Sequence, residues 1–141
     1  MLGSILLIDD DIDALTVFKV ILDNEGYTVY TAENLDEAIA AVKKHEIDLA
    51  IIDFVFPGCR GDLMARVLKL INERLEIIFL SGHESVYEAV GRLDFPVYET
   101  FMKPENIGEL LLTIKGIFDE EADPHRGDVP SGTRSCEIIE P

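Results

Sequence analysis

The sequence predicts an α/β protein built on a doubly wound parallel sheet with helices on both faces. Three observations carry this. The runs Ile5-Leu6-Leu7-Ile8, Leu49-Ala50-Ile51-Ile52 and Ile77-Ile78-Phe79-Leu80 are apolar at every position, as strands buried on both faces are. Longer stretches between them repeat their apolar residues at helical spacing. Strand and helix alternate five times, which implies right-handed crossovers and a parallel sheet.

The first strand is Ile5 to Ile8. Ile12, Leu15, Phe18 (or Val20) and Leu22 then mark a first helix, which ends near Gly26, a residue free to take a left-handed conformation. Thr28-Val29-Tyr30-Thr31 is more mixed in polarity, as a strand nearer a sheet edge would be. Leu35, Ala38, Ile39 and Val42 mark a second helix, with Asn34 placed to cap it. Leu63, Val67, Leu70 and Ile71 mark a third, and a shorter fourth runs from about Glu84 to Leu93. Val97 to Met102 is a second mixed strand. Ile107, Leu110, Leu111, Ile114 and Phe118 form the stripe of a fifth helix, after Pro104 and Glu105 near its start. Residues 1–119 therefore make one domain. Residues 120–141 carry three prolines and much Gly, Ser and acid, the composition of a disordered tail or linker.

Bulk properties narrow the function. A chain of 141 residues that is 48% hydrophobic supports one real core. A formal charge of -16 repels nucleic-acid phosphate and anionic lipid, so neither nucleic acid nor membrane is expected as a direct partner. Cys59 and Cys136 form no disulfide framework, and no Cys or His pair falls at zinc-ligand spacing. No signal peptide is visible, and no apolar run approaches the ~20 residues that span a bilayer. A reducing cytoplasm is the expected location. His45 reads as a solvated residue at a helix end, His83 as a turn residue, and His125 as part of the tail.

Ligands of doubly wound sheets bind beyond the carboxyl ends of the strands. The first strand ends in Asp9-Asp10, the third in Asp53, the fourth in Ser81-Gly82 and the fifth in Lys103-Pro104. A parallel sheet gathers these groups at one rim. Three carboxylates crowded there repel one another, and a hard divalent cation such as Mg2+, which takes a few carboxylate oxygens plus water and phosphate, relieves the repulsion. Asp53 can then attack a phosphorus atom, with Lys103 and Ser81 meeting phosphoryl oxygens, to give an acyl phosphate. Asp11 and Asp13 read instead as helix-capping acids.

This set of positions resembles the response-regulator receiver family of two-component signalling. The resemblance spans about residues 4 to 118 and rests on Asp9-Asp10, Asp53, Pro57 and Gly61 in the following loop, Ser81-Gly82 and Lys103-Pro104. Each motif is weak alone; in this order and spacing they are specific. The resemblance implies a flavodoxin-like strand order of 2-1-3-4-5 and Asp53 as phosphoacceptor. Asp9, Asp10, Asp53 and the backbone carbonyl of Val55 would hold Mg2+. Ser81 would be the switch hydroxyl and Lys103 the phosphoryl-binding lysine. It further implies a histidine kinase or phosphotransfer protein as phosphodonor, a downstream protein target, and a homodimer surface on the fourth helix, fifth strand and fifth helix. The expected role is signalling by phosphoacceptance, with no enzymatic activity beyond the domain's own phosphorylation and dephosphorylation.

Some positions depart from the family pattern. Thr100 stands where receivers usually carry a Tyr or Phe, three residues before the lysine. Strand alternation puts Tyr98 on the face of Thr100 and Phe101 on the other. Arg60 stands where many receivers have Asp or Asn, and Asp94-Phe95-Pro96 replaces the usual small-residue turn. The apolar side chain of Val55 cannot position a hydrolytic water, which implies a long-lived acyl phosphate. Two other functions compete. A non-switching interaction module is favoured by Thr100. A phosphatase of the haloacid-dehalogenase type would use an Asp after the first strand in an Asp-x-Asp-x-Thr/Val pattern, which Asp9-Asp10-Asp11-Ile12-Asp13 breaks. No output domain follows residue 119 in this sequence, as in a stand-alone regulator or a piece of a longer protein.

Overall fold

The strands of the computed structural model are β1 (Ser4–Ile8), β2 (Thr28–Ala32), β3 (Leu49–Asp53), β4 (Glu76–Ser81) and β5 (Glu99–Met102). They hydrogen-bond in the order β2-β1-β3-β4-β5, and every pairing is parallel. The structure describes residues 3–53, 61–81, 90–93, 95–102 and 107–122. This is the doubly wound, flavodoxin-like sheet that the sequence predicts. The three apolar runs are its central strands and the two mixed runs its edges. A central strand of such a sheet meets neighbours on both sides and helices above and below, so no position on it can be polar without cost.

The helices α1 (Ile12–Asn24), α2 (Leu35–Lys44) and α3 (Gly61–Ile71) cover the two faces. On one face, Leu15 and Phe18 of α1 meet Leu7, Ile51 and Leu80. On the other, Ala38 and Val42 of α2 and Met64, Ala65 and Leu68 of α3 close over Leu6, Ile8, Ala50, Ile52, Ile77 and Phe79. Local chemistry sets the helix ends. Asn34 caps α2, its side chain accepting from the Glu37 backbone at 2.9 Å, while the Glu37 carboxylate accepts from the Glu33 backbone at 2.8 Å. Gly26 takes φ 101°, the left-handed conformation expected just beyond the end of α1.

Some expectations need correction. The stripe Leu63, Val67, Leu70 and Ile71 is not the core face of α3. Leu63, Leu70 and Ile71 are exposed and Val67 is half-buried, whereas Met64, Ala65 and Leu68 are buried. The helix is apolar on two sides, at 63/67/70 and at 64/68/71, and spacing alone cannot choose between them. The small Ala65 beside Met64 and Leu68 lets this side approach the sheet closely. Ile12 likewise faces solvent at the start of α1. His45 is half-buried, its ring stacked on Tyr30 with centroids 4.0 Å apart and planes at 16°. β5 begins at Glu99, two residues later than expected, although Tyr98 already donates its backbone N–H to Ile77 at 2.8 Å. Of the expected fourth helix only 90–93 lie within the described residues, and Val90 and Gly91 are helical.

A fourth described helix, Ile107–Ala122, has Leu110, Ile114, Ile117 and Phe118 buried, while Ile107, placed on its stripe from sequence, is exposed. It extends past residue 119; residues 123–141, and so most of the expected tail, lie outside the described residues. No helix among the described residues is long and apolar enough to cross a membrane.

The phase of α3 has a measurable consequence. Leu68→Ala is expected to cost about 2–5 kcal/mol, because it empties a fully buried site. Leu70→Ala should stay within about 0.5 kcal/mol of wild type. Urea unfolding of both variants checks this; equal losses would put the helix in the wrong phase.

Candidate functional site

Register places the polar groups at the carboxyl rim. Ile8 pairs with Ile52, so Asp9 and Asp53 follow at the same level on adjacent strands. Asp53 pairs with Leu80, and Ser81 is one step beyond on the next strand. The Asp9 backbone N–H donates to Ala32 at 3.2 Å, carrying the β1–β2 ladder one residue past the strand end. That bond holds Asp9 in line while the chain turns into α1.

The turn divides labour among the acids. Asp9 is only 9% exposed, and its Oδ1 accepts the Asp11 backbone N–H at 3.0 Å. Asp11 then caps α1, its Oδ1 accepting from the backbones of Asp13 at 3.0 Å and Ala14 at 3.2 Å. Asp13 occupies the first turn, where a negative charge suits the helix dipole. Capping therefore accounts for Asp11 and Asp13, as the sequence predicts. Asp9, Asp10 and Asp53 do something else: one oxygen of each lies within 4.8 Å of the others. Asp9 is buried, Asp53 half-buried and Asp10 exposed, so the group is open on one side. Leu7, Leu15, Phe18 and Leu80 form an apolar floor beside Asp9 and Asp53, and that floor strengthens charge interactions at the rim.

The donor set fits Mg2+. Oxygens sharing an octahedral Mg2+ at about 2.1 Å are about 3–4 Å apart. Three hard carboxylate oxygens already within 4.8 Å need only small side-chain rotations to enter one shell.

Ser81 is fully buried at the end of β4, opposite Met102, the residue that precedes Lys103. Lys103 and Val55, assigned from sequence to phosphoryl and metal binding, lie outside the described residues, as do Pro57, Cys59, Arg60, Gly82, His83, Asp94 and Pro104. Thr100 pairs with Phe79, and so shares a face with Ser81, while Phe101 pairs with Leu80 and is buried on the other face. One buried acid escaped the sequence reading. Asp62, in the first turn of α3, accepts the Leu63 backbone N–H at 3.0 Å. Its position one residue after Gly61 was the available signal.

Residues 5–115 match the family model of the response regulator receiver domain. Among curated proteins, the phosphoglycerate transport system transcriptional regulatory protein PgtA of Salmonella typhimurium is 32% identical over 79% of this chain and 27% of its own length. The chain spans between about a quarter and a half of the curated relatives it matches. Among solved structures, a CheY-like response regulator receiver domain protein from Methanospirillum hungatei superposes with a TM-score of 0.79 at 30% identity, covering 86% of this chain and 98% of that one. The response regulator protein TrrA of Thermotoga maritima, solved in complex with Mg2+ and beryllofluoride, superposes with a TM-score of 0.70 at 28% identity, covering 82% and 98%.

Proposed function

The chain belongs to the response regulator receiver domain family, and from that premise we propose that Asp53 is its phosphoacceptor, with Mg2+ held by Asp9, Asp10, Asp53 and the Val55 carbonyl. The observation that carries this reading is the convergence of the three carboxylates, from the ends of β1 and β3, within 4.8 Å. When bound there, Mg2+ supplies positive charge that offsets the carboxylates and the incoming phosphoryl oxygens. A carboxylate oxygen of Asp53 attacks phosphorus, and the bond from phosphorus to the donor's leaving group breaks with its electron pair going to that group. Ser81 donates a hydrogen bond to one phosphoryl oxygen and Lys103 pairs with another. Asp9, buried and already accepting from Asp11, serves as a fixed ligand and not as the nucleophile, which weighs against a phosphatase of the haloacid-dehalogenase type.

The output follows from charge. A phosphoryl group adds about -1.5 to -2 charge and strong acceptor oxygens at Asp53. Ser81 and Lys103 are drawn toward it, and the loops after β3 and β4 shift to present a surface to a downstream protein. The phosphodonor is a histidine kinase or phosphotransfer protein in the cytoplasm. The receiver spans residues 1–119, with 120–141 as tail or linker, and homodimers form through the fourth helix, fifth strand and fifth helix. The domain acts as a signalling module, not as an enzyme on other substrates. Thr100 favours a second reading, a module that keeps the fold without switching, because no aromatic ring occupies that place beside Phe79.

Mass spectrometry after acetyl phosphate and Mg2+ tests the assignment. Wild type should carry one phosphoryl adduct that Asp53→Asn lacks. An adduct on both proteins, or on neither, would overturn it.

A further inference from the structure

The outward face of α3 is apolar where a solvent-facing helix should be polar. Leu63 is 48% exposed and Leu70 is 83% exposed, with half-buried Val67 between them. Their spacing, i, i+4 and i+7, puts all three on one line along the helix, opposite Met64, Ala65 and Leu68 in the core. Single exposed leucines are ordinary; an aligned set on one helix is the pattern of a helix-docking surface.

The charges around this stripe name the kind of partner. The protein as a whole carries a formal -16, yet the charged side chains of α3 outside the core are Arg66 and Lys69, both basic. The one acid of the helix, Asp62, is buried. Lys69 donates to the carbonyls of Glu73 at 2.7 Å and Leu75 at 2.9 Å, and lies 5.8 Å from the centre of the Phe95 ring. Arg66 is one helical turn from both Leu63 and Leu70, so it borders the stripe directly. A second copy docked symmetrically would set this basic face against itself, since an isologous contact pairs a patch with its own image. An acidic partner meets no such repulsion and gains attraction at the rim.

We propose that the Leu63–Val67–Leu70 face of α3 is a docking surface for an acidic amphipathic helix of a partner protein, with Arg66 as its charged border. The apolar stripe supplies burial and Arg66 selects the sign of the partner. The three stripe residues and Arg66 all belong to α3, and the surface does not depend on which acid at the rim accepts phosphate.

The test uses the full chain and two designed helical peptides. Both carry leucine at i, i+4 and i+7; one is flanked by glutamate and the other by lysine. The glutamate peptide should bind, with amide NMR shift changes centred on α3, and should bind more weakly as salt rises. Leu70→Glu and Arg66→Glu should each weaken it about tenfold or more. Leu70→Gln serves as a milder variant, and thermal melting confirms that each variant is folded. Equal binding of the lysine peptide, shift changes confined to other elements, or wild type that self-associates through α3 in sedimentation without binding the peptide would each overturn the proposal.

Discussion

Phe79→Ala is expected to lower stability by about 3–5 kcal/mol, because Phe79 is the bulkiest fully buried side chain among the described residues. Phe79 is fully buried in β4, flanked across the sheet by Ile52 and Thr100. Its ring lies in the cluster that α2 and α3 close over, where neighbours on every side are already packed. The cavity left behind cannot collapse, because the sheet register fixes the strands on both sides. Domains of this size are stable by only about 5–15 kcal/mol, so the variant should unfold at much lower urea. Ser81, two residues further along the same strand, depends on that strand staying in place. Urea unfolding monitored by circular dichroism measures the loss; a change under about 1 kcal/mol would mean that the site is not close-packed.

Asp10→Asn is expected to remove the response to Mg2+ and, in the absence of the ion, to stabilise the fold. Both effects come from one geometry. Carboxylate oxygens within 4.8 Å of each other repel by about 1–3 kcal/mol per pair at the screening of a half-exposed rim. Folding must work against this repulsion unless a cation offsets it. Asparagine keeps the shape and removes one negative charge, so the metal-free protein gains stability. The same change removes an anionic ligand from a cation that depends on carboxylates. Affinity for Mg2+ should fall about a hundredfold, since even outer partners of metal ligands are worth 10–100-fold. Asp10 suits the test because it is exposed and neither Asp11's capping bonds nor the Asp9–Asp11 bond involves its side chain.

Much of this was legible in the sequence, for identifiable reasons. Ile5 to Ile8, Leu49 to Ile52 and Ile77 to Leu80 signalled central strands because only a strand covered on both faces is apolar at every position. Once the sheet was parallel, the residues following those strands had to share one rim, so Asp9, Asp10 and Asp53 could be grouped although 43 positions separate Asp10 from Asp53. Asn34 and Gly26 were readable because caps and left-handed turns admit few residue types.

What was not legible depended on tertiary choice. α3 offers two apolar faces, and the decision between them belongs to the shape of the sheet and α2, which no local pattern encodes. His45 looked solvated because it sits at a helix end; its stacking on Tyr30 joins the end of α2 to a strand fifteen residues earlier. The late start of β5 has a similar origin. Val97 and Tyr98 have strand-like side chains, but regular pairing with β4 begins only where Glu99 meets Ile78.

The proposed switch requires that three acids from the ends of two strands hold one divalent cation. Thermal unfolding of wild type and Asp10→Asn, each in EDTA and in millimolar Mg2+, tests it most directly. Mg2+ should raise the Tm of wild type, Asp10→Asn should melt above wild type in EDTA, and Mg2+ should leave the variant nearly unchanged. Equal Mg2+ shifts in both proteins, with no gain for the variant in EDTA, would contradict it.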